Sequence, residues 1–290
     1  MEKLLIIWGT WQLWQELCKI WQRYFEILQP NSSELNILDC KKTRDYILQN
    51  KPNIIINTSA FHRVNDCETY QSDAFALNCT AVNFLAKLTS ELNIYLISVS
   101  TDYVFDWKKN ELYYEDDIPN PLQMYWISKL SWEYGLLNYN PLKWAIIRTN
   151  WVYWWWNMWS KDKWWNFILN ILKNISGKAE IEIWADQFVN PTYAWDLAEA
   201  TIKLCLQPQN IHGIYHFCNE GVLNWADFTQ IAFDLLSIKT KIKSVERWEY
   251  QGWIRRPLFS ALWNKRWSQI WIKLPDIKTG LKKYLSTLQF

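Results

Sequence analysis

The chain has 290 residues, enough length to bury about 75% of the surface that its unfolded form would expose. Its 31 Lys and Arg residues nearly balance 29 Asp and Glu residues, so the net charge of +2 gives no reason to expect nucleic acid or an anionic membrane as a partner. Six cysteines are scattered without a C-x-x-C pair, which favours free thiols over disulfides or a zinc site. No apolar stretch reaches the roughly 18 residues of a membrane span, so we expect a cytoplasmic protein.

Short aliphatic runs alternate with amphipathic segments in the first half of the chain. In chain order we predict a strand at 4–7, a helix at 12–24, a strand at 25–28, a helix at 42–49, a strand at 53–57, a helix at 72–92, a strand at 94–100, a helix at 123–138 and a strand at 144–148. Strands buried on both faces form continuous apolar runs. The alternation therefore predicts an α/β fold with a Rossmann-type, doubly wound parallel sheet.

The second half is predicted to form a second, smaller α/β domain. The expected elements are helices at 166–174, 195–206, 225–236 and 280–288 and a strand at 213–217, with Asn224 as an N-cap and a loop over the tryptophan-rich segment 151–165. We expect a dinucleotide-binding domain at 1–150 and a mainly substrate-binding domain at 151–290. The chain is expected to cross back to the first domain near 185–206.

Glycine and tryptophan occur in abnormal numbers. An average glycine content would give about 20 glycines, but the chain has 7 glycines and 23 tryptophans. Trp107, for example, stands in a segment rich in Asp, Lys and Asn that is otherwise typical of a turn. We interpret the pattern as an exchange of glycine for tryptophan.

The first predicted strand leads into a turn and then a helix, where a dinucleotide fold places its glycine-rich, phosphate-binding turn. Trp8, Trp11 and Trp14 occupy the G-x-x-G-x-x-G spacing at this point. A strand-to-helix turn without a ligand is therefore an equal alternative on the residues alone.

Tyr125 and Lys129 lie four residues apart in a predicted helix, which places the phenol and the ammonium on one face. A nearby cation favours the phenolate, so we expect the pKa of Tyr125 to be lowered towards the range useful for proton transfer. The spacing alone is weak evidence, because Tyr139 and Lys143 also match it. Pro141 interrupts that second pair, whereas nothing comparable interrupts the first.

The predicted strand that ends at Ser100 delivers Thr101, Asp102 and Tyr103 to the carboxyl edge of the sheet, where open α/β folds bind ligands. A hydroxyl group there can bind a substrate oxygen. The alternative is that Thr101 and Asp102 only cap the next turn. His62 also follows a strand at this edge, but a lone histidine is more often structural, and no metal site is expected.

Taken together, the motifs resemble those of the dTDP-4-dehydrorhamnose reductases, members of the extended short-chain dehydrogenase/reductase superfamily. The similarity extends over essentially the whole chain and rests on Gln12-Leu13, 57–64, 100–106, 115–117, 119–121, 125–129, Arg148-Thr149, 186–187, 190–193, 196–198, 213–217 and Arg256-Pro257.

The resemblance implies that NADPH or NADH reduces the 4-keto group of dTDP-4-dehydro-L-rhamnose to give dTDP-L-rhamnose. It implies the catalytic residues Thr101, Tyr125 and Lys129. Besides Tyr125 and Lys129, the implied cofactor contacts are Thr10, Gln12, Leu13, Asp39, Cys40 and Ala60, and the implied substrate contacts are Asp102, Tyr103 and Asn190. Asn31 stands where an acidic residue would bind the ribose 2′-hydroxyl, which makes NADPH acceptable. A homodimer is left open.

The chain departs from the family pattern in one way, since family members have glycine where this chain has Trp8, Trp11, Trp14, Trp107, Trp126 and Trp132. Indoles in the phosphate turn would exclude a pyrophosphate, which gives the alternative of an inactivated chain. Trp126 is expected to be tolerated where it points to solvent. A further alternative is a non-catalytic regulatory subunit resembling the beta subunit of methionine adenosyltransferase.

Overall fold

The computed structural model describes residues 1–7, 21–139, 141–154, 167–207, 211–246 and 257–288. Its strands are Glu2–Ile7 (β1), Phe25–Leu28 (β2), Ile54–Asn57 (β3), Tyr95–Thr101 (β4), Trp144–Thr149 (β5), Val152–Tyr153 (β6), Glu180–Trp184 (β7), Phe188–Val189 (β8), Thr192–Tyr193 (β9), Gly213–His216 (β10), Leu223–Asn224 (β11) and Lys241–Val245 (β12).

The α-helices are Cys40–Asn50 (α1), Val64–Thr69 (α2), Gln71–Phe75 (α3), Val82–Leu92 (α4), Met124–Tyr139 (α5), Phe167–Asn174 (α6), Ala194–Cys205 (α7), Trp225–Leu236 (α8), Trp267–Ile270 (α9) and Ile277–Ser286 (α10). A π-helical segment, Ala76–Ala81, joins α3 to α4, and a 3-10 turn, Asp102–Val104, follows β4.

Six strands form one parallel sheet in the order β10-β5-β4-β3-β1-β2. The strand order reverses between β1 and β3, the point at which open α/β sheets form a ligand crevice at their carboxyl ends. Ile7, Asn57 and Ser98 are aligned across β1, β3 and β4, so these strands deliver their following loops to one edge. The predicted doubly wound parallel sheet is confirmed.

Successive side chains of the strands point to opposite faces of the sheet, and each face has its own apolar core. Leu5 and Ile55 pack on one face with side chains from α4 and α5, such as Leu85 and Leu136. Leu4, Ile6 and Ile54 pack on the other face, where α7 contributes Leu197, Ala198, Ala200, Ile202 and Leu204. Continuous aliphatic strands are therefore needed to fill both layers.

A further core lies in the second half of the chain. It joins β7 and β12, which pair in parallel, to side chains of α6, α8 and α10, including Ile168, Phe228 and Tyr284. In contrast, α7 packs on the six-stranded sheet, and β10 pairs with β5 and completes that sheet. The helix α7 and the strand β10 therefore pack with the first half of the chain.

Several predicted elements need correction. The helix predicted at 72–92 is divided into α3, the π-helical segment and α4, and α2, β7 and β12 were not predicted. The loop predicted at 151–165 contains β6, while residues 155–166 lie outside the described ones. Residues 12–20 of the helix predicted at 12–24 also lie outside them, and residues 22–24 form a turn.

Five cysteines lie in the described part of the chain, namely Cys40, Cys67, Cys79, Cys205 and Cys218, and all are free thiols as expected. Among the described residues, no helix combines the length and the apolar character that crossing a membrane requires.

The backbone at three tryptophans lies in the left-handed region, with φ of 63° at Trp107, 24° at Trp151 and 54° at Trp271. This region costs a residue with a β-carbon roughly 1–2 kcal/mol, whereas glycine enters it readily. At positions 107 and 271 the fold thus requires the conformation that glycine prefers, which supports the interpretation that tryptophan has replaced glycine.

Candidate active site

The carboxyl ends of β3 and β4 and the first turns of α5 form the candidate site. The helix α5 packs against β4 and the 3-10 turn, so Tyr125 and Lys129 face the segment that holds Thr101 and Asp102. The N-terminus of α5 is fixed by Glu68 of α2, whose carboxylate accepts a hydrogen bond of 2.9 Å from the Met124 amide. Thr101 and Asp102 are more than 20 positions away from Tyr125 and Lys129 in the sequence, and this packing brings the two segments together.

Lys129 is buried, with 4% of its surface exposed, and its Nζ donates a hydrogen bond of 2.8 Å to the Val99 carbonyl. Burial lowers the pKa of Lys129 to about 8, although the carboxylate of Glu133 opposes the shift. An ammonium has three N–H donors, so Lys129 keeps donors for a ligand after its bond to Val99. It fits the role of binding a ribose hydroxyl group.

Tyr125 does not have the lowered pKa that the sequence predicts. Burial raises the pKa of Tyr125 well above its usual value, and the nearby Cys67, Asp102 and Tyr103 raise it further. The prediction from the four-residue spacing is wrong in this respect, because desolvation of the buried phenolate is the largest cause of the shift.

Thr101 and Asp102 are joined by a hydrogen bond. The Thr101 hydroxyl donates to Asp102 Oδ1 at 3.0 Å and accepts from the Tyr103 amide at 3.2 Å, so Thr101 does cap the 3-10 turn. Asp102 is 3% exposed, and burial raises its pKa to about 7 against opposing hydrogen bonds from Ser260 and Thr101. Capping and a role in the site are therefore compatible.

Tyr103 lies within an aromatic cluster beside these residues. Its hydroxyl accepts a hydrogen bond of 3.2 Å from Trp151 Nε1, and its ring centroid lies 4.9 Å from that of Trp126. Trp126 in turn meets the Trp107 ring edge-on at 4.7 Å.

Trp126 is 1% exposed, so it does not point to solvent, which was the condition for tolerating an indole at this position. The indole N–H groups of Trp107, Trp126, Trp132 and Trp144 are buried, and the described residues provide no hydrogen-bond partner for them. A buried polar group without a partner is costly. These indoles fill space in the core and beside Tyr103 without satisfying their own donors.

Ala60 lies in the loop after β3, which three side-chain hydrogen bonds connect to the structure around it. Thr58 donates to the Ile7 carbonyl at 2.9 Å, and Asn78 of the π-helical segment binds both backbone polar groups of Phe61. In the same loop, His62 Nδ1 lies 3.3 Å from the Ala60 carbonyl oxygen. The sequence analysis missed Asn78, whose signal was a polar side chain within an apolar helical face.

Asp39 and Cys40 begin α1 after β2. Asp39 Oδ1 accepts a hydrogen bond of 3.0 Å from the Lys42 amide, so Asp39 is the N-cap of this helix, and Cys40 is exposed. Near the end of β2, the Asn31 amide donates to the Glu34 carboxylate at 2.8 Å. The expectation from Asn31 that NADPH is acceptable stays a prediction.

Thr10, Gln12 and Leu13, like Trp8, Trp11 and Trp14, lie outside the described residues. Asn190 is described and buried, but its side-chain amide binds the Gly221 carbonyl and accepts a hydrogen bond of 2.5 Å from the Leu262 amide. The structure therefore shows Asn190 bracing two backbone segments.

A buried ion pair lies next to the candidate site, between α5 and β5. The carboxylate of Glu133, one turn after Lys129, binds Arg148 of β5 at 2.6 Å and accepts a hydrogen bond of 2.5 Å from Ser100 of β4. Arg148 and Glu133 are each 1% exposed. These contacts of Glu133 link α5 to β4 and β5.

A parallel sheet with a strand-order reversal, and a threonine, a tyrosine and a buried lysine at its carboxyl edge, define a nucleotide-dependent oxidoreductase of the Rossmann type. The chain belongs to the family described as the RmlD substrate binding domain, whose model matches residues 2–290.

Curated relatives of similar length include two with 32% identity. The alignment with the spore coat polysaccharide biosynthesis protein SpsK of Bacillus subtilis covers 98% of this chain and 97% of SpsK. A dTDP-4-dehydrorhamnose reductase of Aggregatibacter actinomycetemcomitans is covered to 90%, over 90% of this chain.

Among solved structures, the dTDP-4-dehydrorhamnose reductase of Bacillus anthracis in complex with NADP superposes with a TM-score of 0.89 at 25% identity. That alignment covers 99% of this chain and all of the other. The corresponding protein of Clostridium acetobutylicum gives a TM-score of 0.89 at 28% identity with the same coverage.

Proposed function

We propose that this chain is an NAD(P)H-dependent oxidoreductase that reduces the 4-keto group of dTDP-4-dehydro-L-rhamnose to give dTDP-L-rhamnose. The observation that carries the proposal is the meeting of Thr101, Tyr125 and the buried Lys129 at the carboxyl edge of the sheet, in a chain similar over nearly its full length to proteins named for this reaction. The alternative of a non-catalytic regulatory subunit is not favoured by these relatives.

The positions of Thr101, Tyr125 and Lys129 give each of them a role in the proposed reduction. Bound NAD(P)H supplies the hydride to the carbonyl carbon. Tyr125 donates its hydroxyl proton to the oxygen of the same carbonyl, and Lys129 binds the ribose of the cofactor through the N–H donors left free by Val99. The single hydroxyl proton of Thr101, which is donated to Asp102 Oδ1 in the ligand-free chain, would turn to the same carbonyl oxygen when the substrate binds.

For the remaining cofactor contacts we propose Ala60, in the loop beside the site, and Asp39 and Cys40 at the N-terminus of α1. Thr10, Gln12 and Leu13 are proposed to bind the pyrophosphate in a turn that has glycine, rather than the indoles of Trp8, Trp11 and Trp14, at the three spaced positions. Asp102 and Tyr103 are proposed to contact the sugar nucleotide, whereas Asn190 would act through the segments that it braces.

We further propose that residues 1–150 form the dinucleotide-binding domain and residues 151–290 mainly the substrate-binding domain, with the chain crossing back to the first domain near 185–206. The packing of α7 and β10 on the six-stranded sheet supports this division. We also propose a cytoplasmic location. The homodimer stays a prediction that sedimentation of the purified chain would test.

The test is oxidation of NADPH by the purified chain in the presence of dTDP-4-dehydro-L-rhamnose. Loss of a proton donor lowers the rate by roughly 10²–10⁴-fold, and we expect a loss in this range for Tyr125→Phe. Tyr139→Phe is the matched control, since Tyr139 belongs to the same helix but is 41% exposed. Unchanged activity of Tyr125→Phe would remove the catalytic assignment.

A further inference from the structure

Residues 258–265, which we call the bridging segment, lie between the second half of the chain and the loop 105–117 that follows β4 and the 3-10 turn. On one side the segment pairs with Phe188 of β8 through two backbone hydrogen bonds of 2.7 and 3.0 Å. On the other side it pairs with Tyr113 of the loop through backbone hydrogen bonds of 3.0 and 2.9 Å. The bridging segment therefore contacts both halves of the chain at once.

Buried side chains bind the bridging segment at further points. The Asn150 amide, directly after β5, donates to the Ser260 carbonyl at 2.9 Å, and Asn190 accepts the Leu262 amide at 2.5 Å. Ser260 is itself fully buried and hydrogen-bonds the carboxyl group of Asp102. The position of the bridging segment therefore affects a residue that we propose to contact the sugar nucleotide.

Glu115 joins the bridging segment to the loop and to the central sheet. It is buried, with 5% of its surface exposed, and each of its carboxylate oxygens accepts one backbone hydrogen bond. Oε1 accepts from the His216 amide of β10 at 3.2 Å, and Oε2 accepts from the Lys265 amide at 3.1 Å. The His216 ring adds a second connection, since its Nδ1 lies 3.1 Å from the Tyr113 carbonyl oxygen and 3.2 Å from that of Trp263.

The loop that contains Glu115 starts at the candidate site. Within the 3-10 turn, the Phe105 amide donates to the Asp102 carbonyl at 3.3 Å. The Phe105 ring then stacks on the Tyr113 ring, with the centroids 4.4 Å apart. Both rings are buried, and closely packed side chains transmit displacements to their neighbours. A displacement at Glu115 is therefore expected to reach Asp102.

The two bonds of Glu115 favour a carboxylate over its amide analogue. Both partners are backbone N–H groups, which only donate, and an ionised carboxylate presents acceptors on both oxygens. Burial raises the pKa of Glu115, and the hydrogen bonds from the His216 and Lys265 amides and the charge of Arg266 oppose the shift. A glutamine side chain of the same shape has one oxygen and one NH₂ group, so one of the two amides would face another donor.

We propose that Glu115 is a positioning residue of the reductase, which holds the bridging segment and the loop 105–117 in a fixed relative position and so places Asp102 against the sugar nucleotide. This inference rests on the proposed function, because it takes Asp102 as a contact of that substrate. Glu115 acts through the backbone of two other segments rather than on the reacting atoms.

The test compares Glu115→Gln with Asp116→Asn. Asp116 is the matched control because it is the next residue and binds the side chains of Lys265 and Arg266 at 3.0 and 2.7 Å, yet its side chain is 52% exposed. Exposed ion pairs contribute little to stability, so Asp116→Asn removes a negative charge at the same place without changing the acceptors of the buried amides. All assays are made well below the unfolding temperature of the least stable variant.

For Glu115→Gln we expect the KM for the sugar nucleotide to rise on the order of tenfold, because a misplacement of about 1 Å can cost 10²-fold. The Kd of NADPH should not change, since none of the proposed cofactor contacts belongs to the loop 105–117 or to the bridging segment. Asp116→Asn should leave both constants unchanged. An unchanged KM in Glu115→Gln, an equal loss of NADPH affinity, or an equal rise of KM in Asp116→Asn would overturn the proposal.

Hydrogen exchange of the ligand-free chain provides a readout that needs no turnover. Glu115→Gln should increase exchange at the His216, Lys265 and Phe105 amides, whereas Asp116→Asn should not. Unchanged exchange at the Phe105 amide would contradict the connection to the candidate site. If the unsubstituted chain does not reduce the sugar nucleotide, the proposed function fails, and exchange at Phe105 together with the affinity of the two variants for dTDP-L-rhamnose still decides the inference.

Discussion

Replacement of Trp271 by glycine tests whether the fold has a glycine position there. Trp271 follows the short helix α9 with φ of 54°, and its side chain is 80% exposed. The left-handed backbone costs roughly 1–2 kcal/mol for a residue with a β-carbon. Glycine removes that strain but gains unfolded-chain entropy worth about 0.4–1 kcal/mol.

The informative comparison is between Trp271→Gly and Trp271→Ala, because both variants lose the edge contact with the Trp267 ring, whose centroid lies 6.3 Å away. The remaining difference is backbone strain minus entropy, which favours glycine by about 0.5–1 kcal/mol. In a domain of this size, that difference raises the unfolding temperature by about 1–4 °C.

Trp263 provides the control, since it is 37% exposed and its φ is not positive. There glycine should be less stable than alanine by about 0.4–1 kcal/mol. The unfolding temperatures of all four variants, measured by circular dichroism, should therefore show opposite signs at the two positions. If alanine is also the more stable residue at 271, the argument from left-handed strain is refuted.

Two further predictions concern buried charges. Because burial raises the pKa of Asp102 to about 7 from a usual value near 3.8, the folded chain keeps a proton that the unfolded chain loses between these pH values, and stability falls as pH rises through that window. Asp102→Asn should remove this contribution, so the free energy of unfolding of the variant minus that of the unsubstituted chain should be higher by a few kcal/mol at pH 8 than at pH 4. Urea unfolding at both pH values measures this difference. An equal difference at the two pH values would show that the carboxyl is not buried as described. Glu133→Gln should destabilise the chain by about 3–5 kcal/mol, because Arg148 is left as an unpaired buried charge. Adding Arg148→Met should recover part of the loss in the same assay, and a further loss instead would contradict the pairing.

The central sheet could be predicted because its strands are continuous aliphatic runs, a pattern that burial on both faces requires. The strands β7 and β12 were missed although Glu180–Trp184 alternates charged and apolar residues, which is the signal of a half-buried strand. The π-helical segment could not be predicted, because its form depends on Asn78 meeting a loop and a helix that are distant in sequence.

The residues of the candidate site could be named from spacing and order along the chain, but their electrostatics could not. The pKa of Tyr125 depends on burial and on Cys67, Asp102 and Tyr103, which reach it from other elements. Likewise, no sequence pattern indicated that Trp126 lies in the core beside Tyr103, since its helix has apolar residues on several sides. The charge and the burial of these side chains depend on which elements come together at the carboxyl edge of the sheet.

The raised pKa of Tyr125 suits reduction better than the lowered value that the spacing predicts. A residue that must donate a proton has to hold that proton at neutral pH until the reaction begins, and a buried phenol beside Asp102 does so. The alkoxide that develops on the substrate oxygen is more basic than a phenolate, so proton transfer becomes favourable only as hydride reaches the carbonyl carbon. On the proposed mechanism, we expect Lys129, whose pKa of about 8 leaves it largely protonated at neutral pH, to stabilise the phenolate once it has formed, rather than to remove the proton beforehand.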